Sequence, residues 1–303
     1  MCKNSEVKII KRESNSNTPS YTVKLSNNLI WSFSSETEEL KPWLKRIGVI
    51  FELDNKPFEN GFQEENITAH NEDNGETSNI GWQRHDMVTF NASYDIENRK
   101  ILYSINPFSR KNDEIIAIKS AFYPIYREII DHGGQLFHAA LIERDGKGVL
   151  LAGKSGVGKS TACRRLPEHW NVLCDDELLM IPTEQGIYRA HPLPTWSEYI
   201  MERSEKTWNI HYSAPVYGIF FIEQSDVDSV LPLGEGQSVA QISESAYQAY
   251  RSYWEIVKNE NKKLLQRKMF HNSIAMAKNI PVFKLRVSLH GYFWEVIERA
   301  LGW

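Results

Sequence analysis

The sequence has no apolar segment long enough to cross a membrane, and its first residues, MCKNSEVKIIKRESNSN, lack the apolar core of a signal peptide. Basic residues are not in excess either, because 35 Lys and Arg stand against 39 Asp and Glu and give a formal net charge of −4. This balance argues against nucleic acid as the main partner. We therefore expect a cytoplasmic protein whose partners include neither a membrane nor a nucleic acid.

Cysteine is scarce as well. The three cysteines, Cys2, Cys163 and Cys174, are scattered along the chain at spacings that match no metal-binding pattern. An odd and scattered set argues against a disulfide framework and fits a reducing compartment. The guanine-reading N-K-x-D sequence is also missing, which makes a GTPase switch less attractive.

What the chain does contain falls into two stretches of different periodicity. The first hundred residues favour β-structure, because polar and apolar positions alternate in several segments. After a loose leader over residues 1–20, we predict a hairpin over Tyr21–Phe33, a short helix over Glu38–Arg46, a strand over Val49–Leu53, a long surface loop over residues 54–80, and a second hairpin over Met87–Ser104 that turns at Asp95–Asn98.

The remaining residues alternate between strands and helices. An amphipathic helix is predicted over Asp113–Ile130, interrupted by Pro124 and ended by Gly133 and Gly134. Predicted strands follow at Leu136–Glu143, Gly148–Ala152, Val172–Ile181, Ile187–Ala190, Tyr217–Ile222 and Val282–Val287, with helices up to about Leu166, within residues 237–278 and over Tyr292–Leu301. We therefore predict an α/β fold with a nucleotide-binding core over residues 109–303 and a smaller, mainly β region over residues 1–108.

The segment Gly153–Thr161, GKSGVGKST, matches the phosphate-binding pattern G-x-x-x-x-G-K-[ST]. It follows the apolar strand GVLLAG and precedes a helix-forming stretch, which is the context that the pattern requires. A nucleoside triphosphate, most simply ATP with Mg²⁺, is the predicted ligand. Backbone N–H groups of the loop would surround the phosphates, the Lys159 side chain would reach the β- and γ-phosphates, and the Ser160 hydroxyl would bind Mg²⁺. The competing interpretation is a Gly-rich turn without a ligand. The predicted phosphate-binding residues are Gly153, Lys154, Ser155, Gly156, Val157, Gly158, Lys159, Ser160 and Thr161.

Two adjacent carboxylates, Asp175 and Asp176, lie in the apolar stretch VLCDDELLM, at the distance after the loop where an Mg²⁺-linked aspartate is expected. Neighbours on a strand point to opposite faces, so both can face the phosphates only if the strand ends or bulges there. One could then hold Mg²⁺ through water while the other accepts a proton from an attacking hydroxyl. A solvated strand end is the alternative.

His138 stands in the apolar strand LFHAALIE, just before the strand that leads into the loop. A lone histidine in such a strand is usually a packed or hydrogen-bonded residue. If the two strands are neighbours, however, His138 would lie near the γ-phosphate and the acidic pair. Weaker candidates for contacts with the phosphates or the site are Arg189, His191 and Arg286.

Taken together, the sequences around His138, GVLLAGKSGVGKST and VLCDDE resemble the catalytic core of the HPr kinase/phosphorylase family. Residues 135–303 are also similar to the HPr-kinase-like proteins of peptide-modification gene clusters, in particular the SynChlorMet cassette ScmC type. The resemblance implies a fold like the C-terminal domain of HPr kinase and like phosphoenolpyruvate carboxykinase. It further implies phosphoryl transfer from ATP to a hydroxyl, often a serine of a protein or peptide.

Transferred residue by residue, the resemblance implies that Asp175 is the base, that His138 is its partner, and that Asp176 is linked to Mg²⁺, with Lys159 completing the catalytic set. Which aspartate has which role stays open. HPr kinase relatives form hexamers, so a homo-oligomer is compatible with the resemblance. The glycine-rich signature that follows the acidic strand in HPr kinases is missing here, so we assign no phosphorolysis and do not expect HPr itself as the acceptor.

Two functional hypotheses follow from the sequence. In the first, the protein is a kinase that phosphorylates a Ser or Thr hydroxyl of a peptide or protein during peptide modification. In the second, it is a non-catalytic ATP-binding protein whose N-terminal β region recognises a precursor peptide or a partner enzyme, for example by pairing with an added strand.

Overall fold

A computed structural model describes residues 20–35, 37–54, 65–71, 82–86, 90–95, 100–105, 108, 111–203, 205–254 and 259–303. The predicted leader before residue 20, and the tip of the second hairpin at residues 96–98, lie outside these ranges. The described part of the chain forms two sheets with helices packed against them. The fold is therefore mixed α/β, with a large mixed sheet and a smaller N-terminal β region, as the alternation of patterns predicts.

The smaller sheet contains six strands in the order β1-β2-β3-β6-β5-β4. Its elements are β1 (Ser20–Lys24), β2 (Ile30–Ser35), a 3₁₀ turn (Glu38–Leu40), α1 (Lys41–Ile50), β3 (Glu65–Asn71), β4 (Trp82–Asp86), β5 (Phe90–Asp95) and β6 (Lys100–Ile105). Both predicted hairpins are confirmed as antiparallel pairs, β1 with β2 and β5 with β6. Strand β4 is an addition that the pattern did not predict.

The predicted strand over Val49–Leu53 is wrong. Helix α1 continues to Ile50, and the chain then turns through residues 51 and 52. The reason is helical spacing, because Trp43, Ile47 and Phe51 recur every four residues and all three are buried. An apolar run this short does not by itself distinguish a strand from the last turn of a helix.

The predicted surface loop over residues 54–80 is also wrong in its middle. Strand β3 lies between β2 and β6 and pairs in parallel with both. Its sequence, ENITAHN, is too polar to indicate a central strand. Parallel neighbours far away in the chain supply its hydrogen bonds, and this pairing leaves no local pattern in the sequence. Residues 55–64 and 72–81 lie outside the described part.

The larger sheet has the order β11-β10-β7-β8-β12-β14-β13, with β9 paired to β7 and β11 also paired to β12. Its strands are β7 (Gln135–Arg144), β8 (Lys147–Ala152), β9 (Asn171–Cys174), β10 (Glu177–Pro182), β11 (Tyr188–Pro192), β12 (Ala214–Gln224), β13 (Ser229–Pro232) and β14 (Val282–Val287). Strands β8, β12 and β14 are parallel neighbours. The loop Gly153–Thr161 therefore begins in the middle of this sheet, where β8 ends between β7 and β12.

Helices cover both faces of the larger sheet. They are α2 (Lys111–Ala121), α3 (Tyr123–Asp131), α4 (Lys159–Arg165), α5 (Trp196–Ile200), α6 (Glu235–Ala249), α7 (Arg251–Trp254), α8 (Asn259–Asn279) and α9 (Phe293–Leu301). The predicted interruption at Pro124 is confirmed, because α2 and α3 are separate helices with Pro124 in the first turn of α3. Among the residues that the structure describes, no helix combines the length and the apolar character needed to cross a membrane.

Two buried clusters hold these layers together. One contains side chains of α4 and α9 packed on one face of the larger sheet. The other continues from α6 and α8 on the opposite face, through α2 and α3, into the N-terminal sheet. Cys163 and Cys174 are free and buried in these clusters, and burial raises the pKa of each thiol to about 12. The N-terminal and C-terminal regions thus share one apolar core.

Phe51 joins the two regions. Its ring is fully buried and lies 4.1 Å from the ring centroid of Phe122 and 5.8 Å from that of Trp196. We expect Phe51→Ala to reduce the free energy of unfolding by about 3–5 kcal/mol, because the substitution leaves a cavity beside the rings of Phe122 and Trp196. Urea unfolding followed by circular dichroism measures the change.

The matched control is Val49→Ala, in the last turn of α1 and two residues before Phe51. The Val49 side chain is 56% exposed, so we expect its loss to change the free energy of unfolding by less than about 0.5 kcal/mol. Equal effects of the two substitutions would contradict the packing of Phe51 at the junction.

Candidate active site

The loop after β8 owes its shape to three glycines. Gly153, Gly156 and Gly158 have φ angles of +145°, +79° and +110°, in the region where a Cβ atom is unfavourable. At Gly156 and Gly158 nothing lies within 4 Å of where a Cβ would stand. The loop is therefore open on that side, and its backbone is accessible to a ligand. Around it lie four exposed residues, Lys154 and Ser155 of the loop and Ser160 and Thr161 in the first turn of α4.

Lys159 turns back into this loop. Its side chain is buried, and Nζ donates hydrogen bonds to the carbonyl oxygens of Gly153 at 2.8 Å and Lys154 at 3.3 Å. A third contact joins Nζ to Nε2 of His138 at 2.9 Å. Burial lowers the pKa of Lys159, and the nearby Asp176 carboxylate opposes that shift in part.

His138 reaches Lys159 because their strands are neighbours. β7 and β8 pair with Ala139 opposite Ala152, the last residue of β8, so His138 lies in register with the first residue of the loop. On its other side, Nδ1 of His138 is 3.2 Å from Oδ1 of Asp176. The sequence placed His138 near the loop only if its own strand and the strand before the loop were neighbours. These strands are β7 and β8, and they pair.

These contacts assign the histidine tautomer. An ammonium group has three N–H donors and no lone pair, so Nε2 of His138 must accept the hydrogen bond from Lys159. The ring proton is then on Nδ1 and is donated to Asp176. Asp176, His138 and Lys159 form one hydrogen-bonded chain from the acidic pair to the glycine loop.

The acidic pair lies at a break in the strand. The predicted strand Val172–Ile181 is divided into β9, which ends at Cys174, and β10, which begins at Glu177, so the prediction of one continuous strand is wrong. Both halves pair with β7, and Asp175 and Asp176 occupy the gap between them. A break of this kind releases the two carboxylates from the alternation of a regular strand.

The two carboxylates have different partners. Burial raises the pKa of Asp176, but the hydrogen bond from His138 and the positive charges of Lys119 and Lys159 outweigh it, and the net shift is downward. Oδ1 of Asp175 instead accepts a hydrogen bond of 2.6 Å from Oγ1 of Thr195, a buried residue in the turn before α5. The structure thus brings Asp176, but not Asp175, into contact with His138.

Three further residues lie near the acidic pair, and no pattern in the sequence predicted a role for them. Thr195 stands in a proline-rich segment. Its hydroxyl is the one feature of that segment from which a hydrogen bond to a carboxylate could have been predicted. Glu177 follows the pair directly and binds Lys119 of α2 at 3.2 Å. Burial raises the pKa of Glu177, and Lys119 offsets this only in part. Lys119 lies 58 residues before Glu177, so no sequence pattern could have joined them.

The weaker candidates do not join this network. Arg189 donates to the hydroxyl and the carbonyl oxygen of Ser213, and His191 is buried with Nδ1 bonded to the carbonyl oxygen of Ile210. Arg286 pairs with Glu223 on the neighbouring strand. Within the described residues, no cluster of three or more His, Cys, Asp or Glu side chains is arranged to hold a metal ion by itself.

Two known groups of proteins are similar to this chain. The family model of the SynChlorMet cassette protein ScmC matches residues 101–302. A segment of 58 residues is 40% identical to the HPr kinase/phosphorylase of Mycoplasma mycoides subsp. mycoides SC. That segment covers 18% of this chain and 18% of the relative, so the chain matches less than a fifth of the length of that enzyme.

The lowered pKa of Asp176 has a consequence for stability. A carboxylate whose pKa in the folded state lies below its ordinary value of 3.8 stabilises the fold above that pH, and the stabilisation is lost as the pH falls through the lowered value. We expect Asp176→Asn to cost about 1 kcal/mol at neutral pH, because it removes the charge facing His138 and Lys159. The cost should shrink once the pH falls below 3.8 and through the lowered pKa of Asp176.

Urea unfolding of both proteins between about pH 7 and about pH 2 measures this difference. Asp145→Asn, in a turn where the carboxylate is 81% exposed, serves as the control and should show little dependence on pH. A cost of Asp176→Asn that is constant over the whole range would contradict the ionic contact.

Proposed function

Because the chain belongs to the family of the SynChlorMet cassette protein ScmC, we propose that it is a kinase with a core like that of HPr kinase. It transfers the γ-phosphoryl group of ATP to a Ser or Thr hydroxyl of a peptide or protein, in the course of peptide modification. The observation that carries the proposal is the hydrogen-bonded chain from Asp176 through His138 to Lys159. This chain joins a carboxylate of the acidic pair to the glycine loop. Phosphoryl transfer needs both parts, a carboxylate for the acceptor or the metal ion and a loop for the phosphates.

The loop over residues 153–161 holds the phosphates in this proposal. Its glycines leave the backbone open to a ligand, and backbone N–H groups are suitable donors to phosphate oxygens. Lys159 is bonded to carbonyl oxygens of its own loop. An anionic phosphate oxygen is a stronger acceptor than a carbonyl, so the ammonium would turn to the nucleotide when it binds.

The acidic pair acts on the acceptor. Asp175, held by Thr195, orients the hydroxyl and accepts its proton, while His138 fixes Asp176 through Nδ1. Ser160 and Asp176 are the residues that would hold Mg²⁺, because an exposed hydroxyl and a carboxylate are the oxygen donors that this ion accepts beside phosphate. When bound, the ion neutralises charge on the phosphates.

We also propose that the two regions of the chain have different functions. Residues 109–303 carry the catalytic core, and residues 1–108 recognise the substrate. Support comes from the family match, which begins at residue 101, and from the separate six-stranded sheet, whose first five strands in chain order precede that residue. The shared apolar core around Phe51 would keep the two parts in a fixed relation.

The test is transfer of label from γ-labelled ATP to peptides encoded beside the gene. We expect a phosphorylated Ser or Thr with the unaltered protein. With Asp175→Asn the rate should fall about 10²–10⁴-fold, the usual contribution of a general base. Mass spectrometry identifies the modified residue.

Asp145→Asn, far along the chain from the acidic pair and exposed, is the matched control and should keep full activity. Tight binding of ATP without transfer to any acceptor would exclude the kinase. That result would favour a protein that uses ATP only to fix a conformation for binding a precursor peptide or a partner enzyme.

A further inference from the structure

Thr195 donates a hydrogen bond to the carboxylate that acts as the base in the proposed function. Its Oγ1 lies 2.6 Å from Oδ1 of Asp175. This length is typical of a hydroxyl that donates to a charged carboxylate, and it is within the reach that a general base needs for the proton it removes. A threonine of the protein itself therefore stands in the relation to Asp175 that an acceptor hydroxyl would have.

The side chain of Thr195 makes no bond to the helix that follows it. Thr195 occupies the position directly before α5, where a Thr oxygen usually accepts a hydrogen bond from a backbone N–H of the first turn. Here the side chain makes no such bond. The lone pairs of Oγ1 are therefore not engaged by the helix, while its proton is directed at Asp175.

The pair of Thr195 and Asp175 lies close to the glycine loop. Helix α4, which follows the loop, packs against β7, and β9 pairs with β7 and ends directly before Asp175. The neighbouring Asp176 is joined through His138 to Lys159. Burial lowers the pKa of Lys159, and the carboxylates of Asp176 and Asp175 both oppose that shift. The hydroxyl of Thr195 thus stands beside the part of the site where the proposed function places the terminal phosphate.

Burial determines which phosphate donor can reach this hydroxyl. Thr195 is 6% exposed, and the residues around it, Leu193 and Trp196, are buried as well. Trp196 also packs against Phe51 of the N-terminal region, which holds the segment in place. A separate protein has little access to such a hydroxyl, whereas a nucleotide in the loop of the same chain approaches it from the side of Asp175.

We propose that Thr195 is an intramolecular phosphoryl acceptor, so that the protein phosphorylates itself at this residue when no peptide occupies the site. The inference rests on the proposed function for the nucleotide and for the role of Asp175. Oγ1 of Thr195 forms a bond to the γ-phosphorus of ATP, the bond from that phosphorus to the β–γ bridging oxygen breaks, and ADP leaves. The proton of the hydroxyl goes to the carboxylate of Asp175.

The test incubates the whole chain with Mg²⁺ and γ-labelled ATP and adds no peptide. We expect label on the protein, and fragmentation in the mass spectrometer should place a phosphate on Thr195. Because the reaction takes place within one molecule, its rate constant should be the same at every protein concentration. A rate constant that rises with the protein concentration would contradict transfer within one chain.

Two substitutions of Thr195 separate its chemistry from its packing. Thr195→Val replaces the hydroxyl by a methyl group of similar size and should abolish labelling of this segment. Thr195→Ser keeps a hydroxyl at the same place and should still be labelled there. With Asp175→Asn the rate of labelling should fall about 10²–10⁴-fold, as expected for the loss of a general base. Circular dichroism shows whether each variant is folded, and Thr195→Ser with the unaltered protein decides the question if Thr195→Val is not.

The matched control is Thr207→Val. Oγ1 of Thr207 also donates to a carboxylate at 2.6 Å, but its partner is Glu52, which follows α1 and is not part of the acidic pair. This variant should be labelled on Thr195 as strongly as the unaltered protein. Label on Thr207 in place of Thr195 would contradict the assignment.

The outcomes separate the two proposals. Transfer of label to a peptide while Thr195 stays unlabelled would overturn this inference alone, and so would a folded Thr195→Val variant labelled as strongly as the unaltered protein. Tight binding of ATP with no label on Thr195 or on any peptide would overturn the proposed function as well.

Discussion

The buried ammonium group of Lys159 is the constraint on which the site depends. Taking a charge out of water is costly unless hydrogen bonds and an opposite charge compensate for it. Here two carbonyl oxygens of the loop and Nε2 of His138 accept hydrogen bonds from the ammonium group, and Nδ1 of His138 donates a hydrogen bond to Asp176. The glycine loop, the histidine strand and the acidic break are thereby held together by contacts within the protein itself.

The larger sheet sets the spacing of this network. Strand β7 lies between β8 and the broken strand β9–β10, so one residue of β7 can contact both the loop and the acidic pair. The break after Cys174 matters as much as the pairing, because a continuous strand would turn Asp175 and Asp176 to opposite faces. The backbone hydrogen bonds between the strands thus determine which side chains come into contact.

Asp175 is held by residues other than those that contact Asp176. Thr195, which holds Asp175, precedes α5, and the first residue of that helix, Trp196, packs against Phe51 of the N-terminal region. A segment nearby, at Trp208, donates a backbone hydrogen bond to Ile50. The N-terminal region therefore contributes to the position of the acidic pair, through the packing of aromatic rings and a backbone hydrogen bond.

Local patterns predicted the strands and helices that have a clear period, including both hairpins and the division of the helix at Pro124. They failed where an apolar run was short, as at Val49–Leu53, and where a polar strand is held by distant partners, as at β3. Periodicity reports only which face of an element is buried, so it cannot reveal pairing between segments far apart in the chain.

The sequence by itself determined the shape of the loop at residues 153–158, because only glycine adopts those φ angles freely. It also determined which residue types were available for chemistry. Only the tertiary structure decided that His138 bonds Asp176 rather than Asp175, that Thr195 donates a hydrogen bond to Asp175, and that Lys119 pairs with Glu177. The physical reason is that these contacts join strands and helices whose order in the sheet is set by the packing of the whole chain.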